Sequence, residues 1–512
     1  MNLVELFLKE SKSVAVVDGK DKYTYEKLSK QSRNLAGALT SENLVKANDR
    51  VVLIANNSAE FIISYLAILC CGAICVPLDP HTTEAERARD IGLVKPNLLL
   101  CASDNLVSTR ISEKIPLIEF NSSRWREFLK HKPSNIVERS DDDVAVMLMS
   151  SPPNSPPRPA MLTHGSLINN LKQVQRNPLL SISKDDKILT ALPMYHIFGL
   201  HVVAGYGLNS EAALIIARSF DAIELSSIIS HNKITIVPGV PALFEAFVNT
   251  KEITIDLLNK VRLFISGGAM LSTKTRDEFK DKFGAFIGEG YGLTEASPMI
   301  SFQIDPKCEG DIGNVLPGIE IDIRDSTGAS SLTNDAGQIV VRGLNIFKGY
   351  FMDSNATQKV LDSNGWLYTG DIGLRDDEDS IILLERTSDV IVVDGFSVFP
   401  SEVEEVINRC ELVEASAVVG ELDERSGEMV LAYVQLISRN MDTPNNSNNS
   451  DTLDPLGIKE ERIFEQQIRD FCLKNLARYK IPKKIIFIDE MSYSSRAKPL
   501  RKSLKRALIN LD

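Results

Sequence analysis

Four short apolar runs in the first third of the chain, with segments of helical period between them, constrain its fold more than any other feature. They are RVVLIAN (50–56), AICVPLD (73–79), NLLLCAS (97–103) and DVAVMLMS (143–150). Runs without polar alternation are buried on both faces, and strands alternating with helices imply a mostly parallel sheet with helices on either side. EAALIIA (211–217), KITIVPG (233–239), VRLFISG (261–267) and AFIGEGYG (285–292) extend the same pattern. After about residue 310 the texture changes. GIEIDIRD, GQIVVRG and SIILLER alternate apolar with polar residues, as in a small antiparallel β region. From 389 the order becomes strand, helix, strand, so we place a domain boundary between 386 and 387, giving domains 1–386 and 387–512. Residues 439–457, RNMDTPNNSNNSDTLDPLG, are too polar to bury a core and are expected to be a disordered insertion.

The chain has 512 residues, 57 Lys+Arg and 69 Asp+Glu, for a formal charge of −12. So acidic a body speaks against general nucleic-acid binding. The charge is uneven: residues 471–512 hold eleven Lys/Arg and three Asp/Glu. That basic end invites a local anionic ligand. Seven cysteines form no disulfide framework and no Cys-x-x-Cys pair, which points to reduced thiols in a cytoplasmic setting and away from zinc. The opening MNLVELFLKESKS lacks the apolar core of a signal peptide. Phe61 to Leu78 carries no charge, but Ser64, Tyr65, Gly72 and Pro77 make it a buried helix, a glycine break and a buried strand, not a membrane span.

Eight segments in order resemble the adenylate-forming ligases (AMP-dependent synthetases and ligases), and among them the acyl-CoA synthetases. They are GAICVPLDP (72–80), LPMYHIFGL (192–200), SGGAMLS (266–272), EGYGLTEASP (289–298), GQIVVRG (337–343), GWLYTGD (365–371), ERTSDVIVVDGFSVFPSEVEE (385–405) and YKIP (479–482). The resemblance implies an α/β fold: a large N-terminal domain with a β-rich subdomain, and a small mobile C-terminal α+β domain. It also implies a reaction. A carboxylic acid is joined to the α-phosphate of ATP, pyrophosphate leaves, and a thiol then displaces AMP. Charge at phosphorus needs Mg²⁺ and a cation, because such clamps act where charge develops.

The resemblance implies these roles position by position. Tyr291 stacks on adenine beside Gly292, Thr294 bonds the α-phosphate, and Glu295 holds Mg²⁺. Gly267, Gly268 and Ala269 line the adenine, the glycines allowing close backbone approach. Asp371, an acceptor-only carboxylate, takes the ribose hydroxyls, and Arg386 reaches the ribose or phosphate. His196 lies near the reacting carboxylate. Lys498 bridges carboxylate and α-phosphate; here Ala497 stands where the family usually has Gly. Gly395 and Phe396 flank the coenzyme A tunnel, with Asp394 bringing a negative charge close to it. The implied ligands are ATP/AMP, Mg²⁺ and coenzyme A, with an acyl carrier protein as the other possible thiol.

The chain departs from the family at the phosphate loop. The pattern Thr-Ser-Gly-Thr-Thr-Gly-x-Pro-Lys-Gly reads Ser150, Ser151, Pro152, Pro153, Asn154, Ser155, Pro156, Pro157, Arg158, Pro159 here, and Thr163-His164 follows in register. All three glycines are replaced, and five prolines stand between 152 and 159. Proline has no N–H to offer a phosphate and fixes φ. At roughly 1.5–3 kcal/mol per charge-assisted bond, losing two or three costs on the order of 10²- to 10⁶-fold in affinity. Arg158 keeps a charge without lysine's compact geometry. Three functions are therefore on the table: an ATP-dependent acyl-CoA ligase of fatty acid metabolism, an enzyme forming thioester from preformed acyl-AMP, and a silent nucleotide- or acyl-binding protein.

Overall fold

The computed structural model describes residues 1–102, 115–150, 157–218, 220–271, 273–304, 306, 310–325, 327–335, 337–386, 391–394, 396–398, 400–423, 427–437 and 455–488. The chain divides into two compact units. One comprises Met1–Pro80, Ala88–Ser150 and Arg158–Thr387; the other comprises His81–Arg87, Ser151–Pro157 and Ser388–Asp512.

The first unit holds two large sheets. The strands are β1 (Val14–Asp18), β2 (Asp21–Thr24), β3 (Arg50–Ile54), β4 (Ile74–Leu78), β5 (Leu98–Cys101), β6 (Leu117–Glu119), β7 (Val144–Ser150), β8 (Arg158–Thr163), β9 (Lys187–Thr190), β10 (Ala213–Ile216), β11 (Ile236–Gly239), β12 (Leu263–Gly267), β13 (Ile287–Gly292), β14 (Met299–Ile304) and β15 (Asn314–Val315). One sheet runs β6-β5-β3-β4-β7-β8, the other β15-β14-β13-β12-β11-β9-β10-β1-β2. Their centres are parallel, and antiparallel strands sit at the edges, as with β7–β8 and β13–β14.

Two-sided burial explains the uninterrupted apolar runs. In β3, Val51 and Leu53 enter a core shared with β9, β10 and β12, whereas Val52 and Ile54 face a second core with Ile91 and Val94. The same split divides the other sheet. Ile188 and Leu214 face the shared core, and Leu189 and Ile215 face a third core built on Phe244, Phe264, Phe279 and Phe283. Among the helices that pack into the shared core are α1 (Ala59–Cys70) and α2 (His164–Gln175). Ser58 and Thr163 cap their N-termini through side-chain oxygens. The uncharged stretch from Phe61 is thus a buried helix followed by β4. Among the described residues no helix is long and apolar enough to cross a membrane.

A four-stranded antiparallel sheet follows, β16 (Ile319–Arg324), β17 (Gly337–Gly343), β18 (Leu367–Arg375) and β19 (Ile381–Arg386), where the alternating pattern predicts it.

The second unit is a sheet of β20 (Ile391–Val393), β21 (Phe396–Val398), β22 (Val413–Asp423), β23 (Gly427–Leu436) and β24 (Lys484–Phe487), packed with helices Pro400–Ile407 and Pro455–Asn475. The longer helix begins inside the segment expected to be an insertion. Pro455 opens it, a position where the missing N–H costs no helical bond. Residues 439–454 lie outside the described residues. Within this unit Lys480 is buried between the carboxylates of Glu86 and Glu402, at 2.8 and 2.9 Å. Those charges hold the ammonium well above its usual range against the opposing effect of burial.

Two histidines are buried at α2, His164 as its first residue and His201 against the Leu167 carbonyl, in surroundings that favour the neutral form. His164 Nδ1 accepts the Leu3 N–H at 3.0 Å, and His201 shares 3.1 Å with the Leu167 carbonyl through Nε2. Burial pushes each down to about 4, the Arg139 charge adding to the effect at His164. A folded-state value below the unfolded one, ordinarily about 6.5, means protons bind preferentially to the unfolded chain. The stability these groups leave intact above pH 6.5 is therefore lost as the pH falls towards 4, at up to about 1.4 kcal/mol per pH unit for each. Urea unfolding between pH 6.5 and 5 should show this slope, and His201→Gln should remove about half of it.

Candidate active site

The site residues gather where β12 and β13 end. Parallel pairing sets Ser266 beside Glu289 and Gly267 beside Gly290. Open α/β sheets bind ligands outside the carboxyl ends of such strands. A side chain at Gly267 would press on Phe198, its Cβ lying 3.1 Å from Cε1. Gly268 has φ of +86°, a conformation that glycine adopts without strain. A Cβ at Gly292 would meet the Pro298 carbonyl oxygen at 2.2 Å. The glycines at this strand end therefore have steric reasons of their own.

Tyr291 projects to β18, where its hydroxyl donates to Asp371 Oδ2 at 2.7 Å; both residues are buried. Arg386, on β19, is the backbone partner of Asp371. The chain then turns through Thr294–Ala296 into Ser297, whose φ is +63°. Glu295 is only 5% exposed. Its Oε1 accepts two hydroxyls, from Ser150 at the end of β7 and from Tyr350, each at 2.8 Å. Burial and the Glu295 charge drive the Tyr350 phenol far above its usual range, so it stays a donor.

β7 and β8 are antiparallel, with Ser150 opposite Arg158. These two strands flank the proline-rich stretch in sequence. Arg158 Nε donates to Asp353 Oδ2 at 2.7 Å. The Ala356 N–H and then this guanidinium keep the Asp353 carboxyl below its ordinary value.

His196 lies half-buried, its ring 4.8 Å from that of Tyr195, just before a π-helix at Phe198–Gly205. Its segment is held by Asn57. The Asn57 amide donates to the Leu192 carbonyl at 2.8 Å and accepts the Met194 N–H at 2.9 Å.

The structure therefore brings Gly267, Gly268, Ala269, Tyr291, Gly292, Thr294, Glu295 and Ser150 to strand ends and turns, with Asp371, in the middle of β18, bonded to Tyr291. Ser151, Gly395 and Lys498, with Pro152 to Pro156, lie outside the described residues. Motif reading missed Asn57, Asn345, Tyr350 and Asp353. The signal available was a tyrosine and an asparagine in GLNIFKGY, a mostly apolar stretch with one lysine that continues GQIVVRG.

Comparison with known proteins extends this picture. The family profile described as AMP-binding enzyme matches residues 8–351, and that described as AMP-binding enzyme C-terminal domain matches 402–498. A 4-coumarate–CoA ligase 3 of Oryza sativa subsp. japonica is 30% identical over 514 residues, covering 96% of this chain and 89% of that protein. A 4-coumarate–CoA ligase 1 of Arabidopsis thaliana is 31% identical over 524 residues, covering 95% and 88%. Among solved structures, ATP-bound MatB from Rhodopseudomonas palustris superposes with a TM-score of 0.72 at 26% identity, covering 99% of this chain and 98% of that one.

Removing the Asn57 amide would strand the buried Met194 N–H and Leu192 carbonyl. Asn57→Ala should cost about 1–3 kcal/mol in denaturant unfolding and speed hydrogen exchange at the Met194 amide.

Proposed function

We propose that this chain, which belongs to the AMP-binding enzyme family, is an acid–thiol ligase that makes an acyl-CoA through an acyl-adenylate. What supports the reading most directly is one juxtaposition: the Tyr291–Asp371 pair and the Glu295 turn lie at the ends of glycine-lined β12 and β13. That arrangement suits a nucleoside monophosphate, with a flat ring against Tyr291 and ribose hydroxyls at Asp371. Thr294 and Ser151 would offer hydroxyls to phosphate oxygens, Ser150 keeps its own on Glu295, and Arg386 and Arg158 supply charge.

The residues fit Mg²⁺. Among the described residues no three ligating side chains converge, and Glu295 is a single buried carboxylate. Mg²⁺ characteristically takes one or two protein carboxylates and fills its remaining positions with phosphate oxygens and water. When bound, it would neutralise charge on the pyrophosphate leaving group.

In the first step a carboxylate oxygen attacks the α-phosphorus and the bond to pyrophosphate breaks. Lys498 bridges the two anions and His196 lies beside the acid. In the second, the thiolate of coenzyme A attacks the acyl carbon and AMP leaves, with Gly395 and Phe396 beside the thiol's path. Coenzyme A is our choice over a carrier protein, in keeping with the names of the relatives. For the acid, Phe198 against Gly267 and Met299 beside Gly290 offer apolar surface. A fatty or aryl carboxylic acid is the class this suits. The boundary at 386–387 and the cytoplasmic setting belong to the same reading; among the described residues six buried cysteines, none in a disulfide, suit the latter.

A second reading has its own observation. Arg158 is engaged by Asp353, and the loop before it has lost its glycines. An enzyme so built accepts preformed acyl-AMP more readily than ATP.

ATP–pyrophosphate exchange across a panel of acids separates the two. The ligase exchanges above background with one acid class; thioester formation from synthetic acyl-AMP without exchange marks the second reading. Silence in both would leave a binding protein. Lys498→Ala should abolish exchange and leave thioester formation from acyl-AMP largely intact, and equal loss of both would overturn the role given to that lysine.

A further inference from the structure

The segment after β17 touches the Glu295 turn at three successive points. Asn345, wholly buried, donates from its side-chain amide to the Ala296 carbonyl at 2.7 Å. The Phe347 N–H donates to the Glu295 carbonyl at 2.8 Å. The Tyr350 hydroxyl donates to Glu295 Oε1 at 2.8 Å. So one short stretch holds both the main chain and the side chain of the carboxylate we assign to Mg²⁺.

That stretch is itself fixed to the strand leaving the phosphate loop. Met161 N–H donates to the Gly349 carbonyl and Lys348 N–H to the Met161 carbonyl, both at 2.9 Å; Phe351 N–H donates to the Pro159 carbonyl at 2.8 Å. Gly349 has φ of +121°, and a Cβ there would lie 2.6 Å from Thr357 Cγ2. Asp353 closes the segment on Arg158. Tyr350 is 3% exposed and packs edge-on against Phe347 at 5.0 Å, so its hydroxyl has a fixed position.

We infer that Tyr350 is a positioning residue for the adenylation step, set by Asn345–Phe351 to hold Glu295 in a fixed orientation towards the metal-bound phosphates. The geometry explains why two hydroxyls converge on Oε1: Ser150 and Tyr350 immobilise one carboxylate oxygen and leave the group's rotation no freedom. In a chain whose phosphate loop has lost its glycines, the fixed carboxylate carries a larger share of nucleotide placement.

The inference rests on the reading of Glu295 as the metal carboxylate, and the test separates the two. The full chain and its Tyr350→Phe and Glu295→Gln variants are titrated with ATP plus Mg²⁺, and with AMP alone, by calorimetry. Melting temperature and thioester formation from synthetic acyl-AMP are measured alongside. Tyr350→Phe should weaken Mg²⁺–ATP binding by roughly tenfold, the scale of one hydrogen bond to a charged group. It should leave AMP binding and thioester formation close to the parent and lower melting by only a few degrees, because Ser150 still bonds Oε1. Mg²⁺–ATP binding unchanged in Tyr350→Phe but lost in Glu295→Gln would overturn this inference alone. Binding unchanged in both would overturn the reading of Glu295. Uniform loss of every property in Tyr350→Phe would reduce the tyrosine to a packing role and equally overturn the inference.

Discussion

The buried carboxylate of Glu295 is the constraint around which the rest of the site is arranged. A carboxylate removed from water is costly unless hydrogen bonds satisfy it. Here the partners come from far away in sequence, Ser150 at the end of β7 and Tyr350 beyond β17. Satisfying one charge therefore requires the edge of the six-stranded sheet, the turn after β13 and the segment following β17 to meet at one place. In the proposed reading, the same geometry puts a metal ligand beside β7 and β8 and leaves the Tyr291–Asp371 pair for the nucleoside.

The sheets make that meeting possible. Because β3, β4, β9 and β10 bury both faces, their strand positions are set by packing on two sides, and their ends are correspondingly rigid. Functional groups placed on the turns that follow inherit that rigidity. Asn57 illustrates the principle away from phosphate: a wholly local loop at the start of α1 fixes the main chain that carries Tyr195 and His196.

Much of this architecture is legible in the sequence. The apolar runs at 50–56, 73–79 and 97–103 become β3, β4 and β5, and the uncharged stretch from Phe61 becomes a helix and a strand, because burial on two faces leaves a direct mark on composition. The glycines and the Gly-Tyr-Gly-Leu-Thr-Glu motif are legible for the same kind of reason, since close backbone approach admits few residue types. What sequence does not show is who satisfies whom. Tyr350 and Asn345 look like interruptions in an apolar segment until the fold brings Glu295 and Ala296 to them. Neither the neutral state of His164 and His201 nor the π-helix after Ile197 has a local sequence signature, because each depends on tertiary surroundings.

The central claim is that the acid is activated at the α-phosphate of ATP. Isotope transfer tests it most directly. With both carboxylate oxygens of the acid labelled with ¹⁸O, one turnover to the thioester should leave one labelled oxygen in AMP and the other in the thioester carbonyl. Label recovered in inorganic phosphate, with ADP as the nucleotide product, would mean activation at the γ-phosphate and would contradict the account.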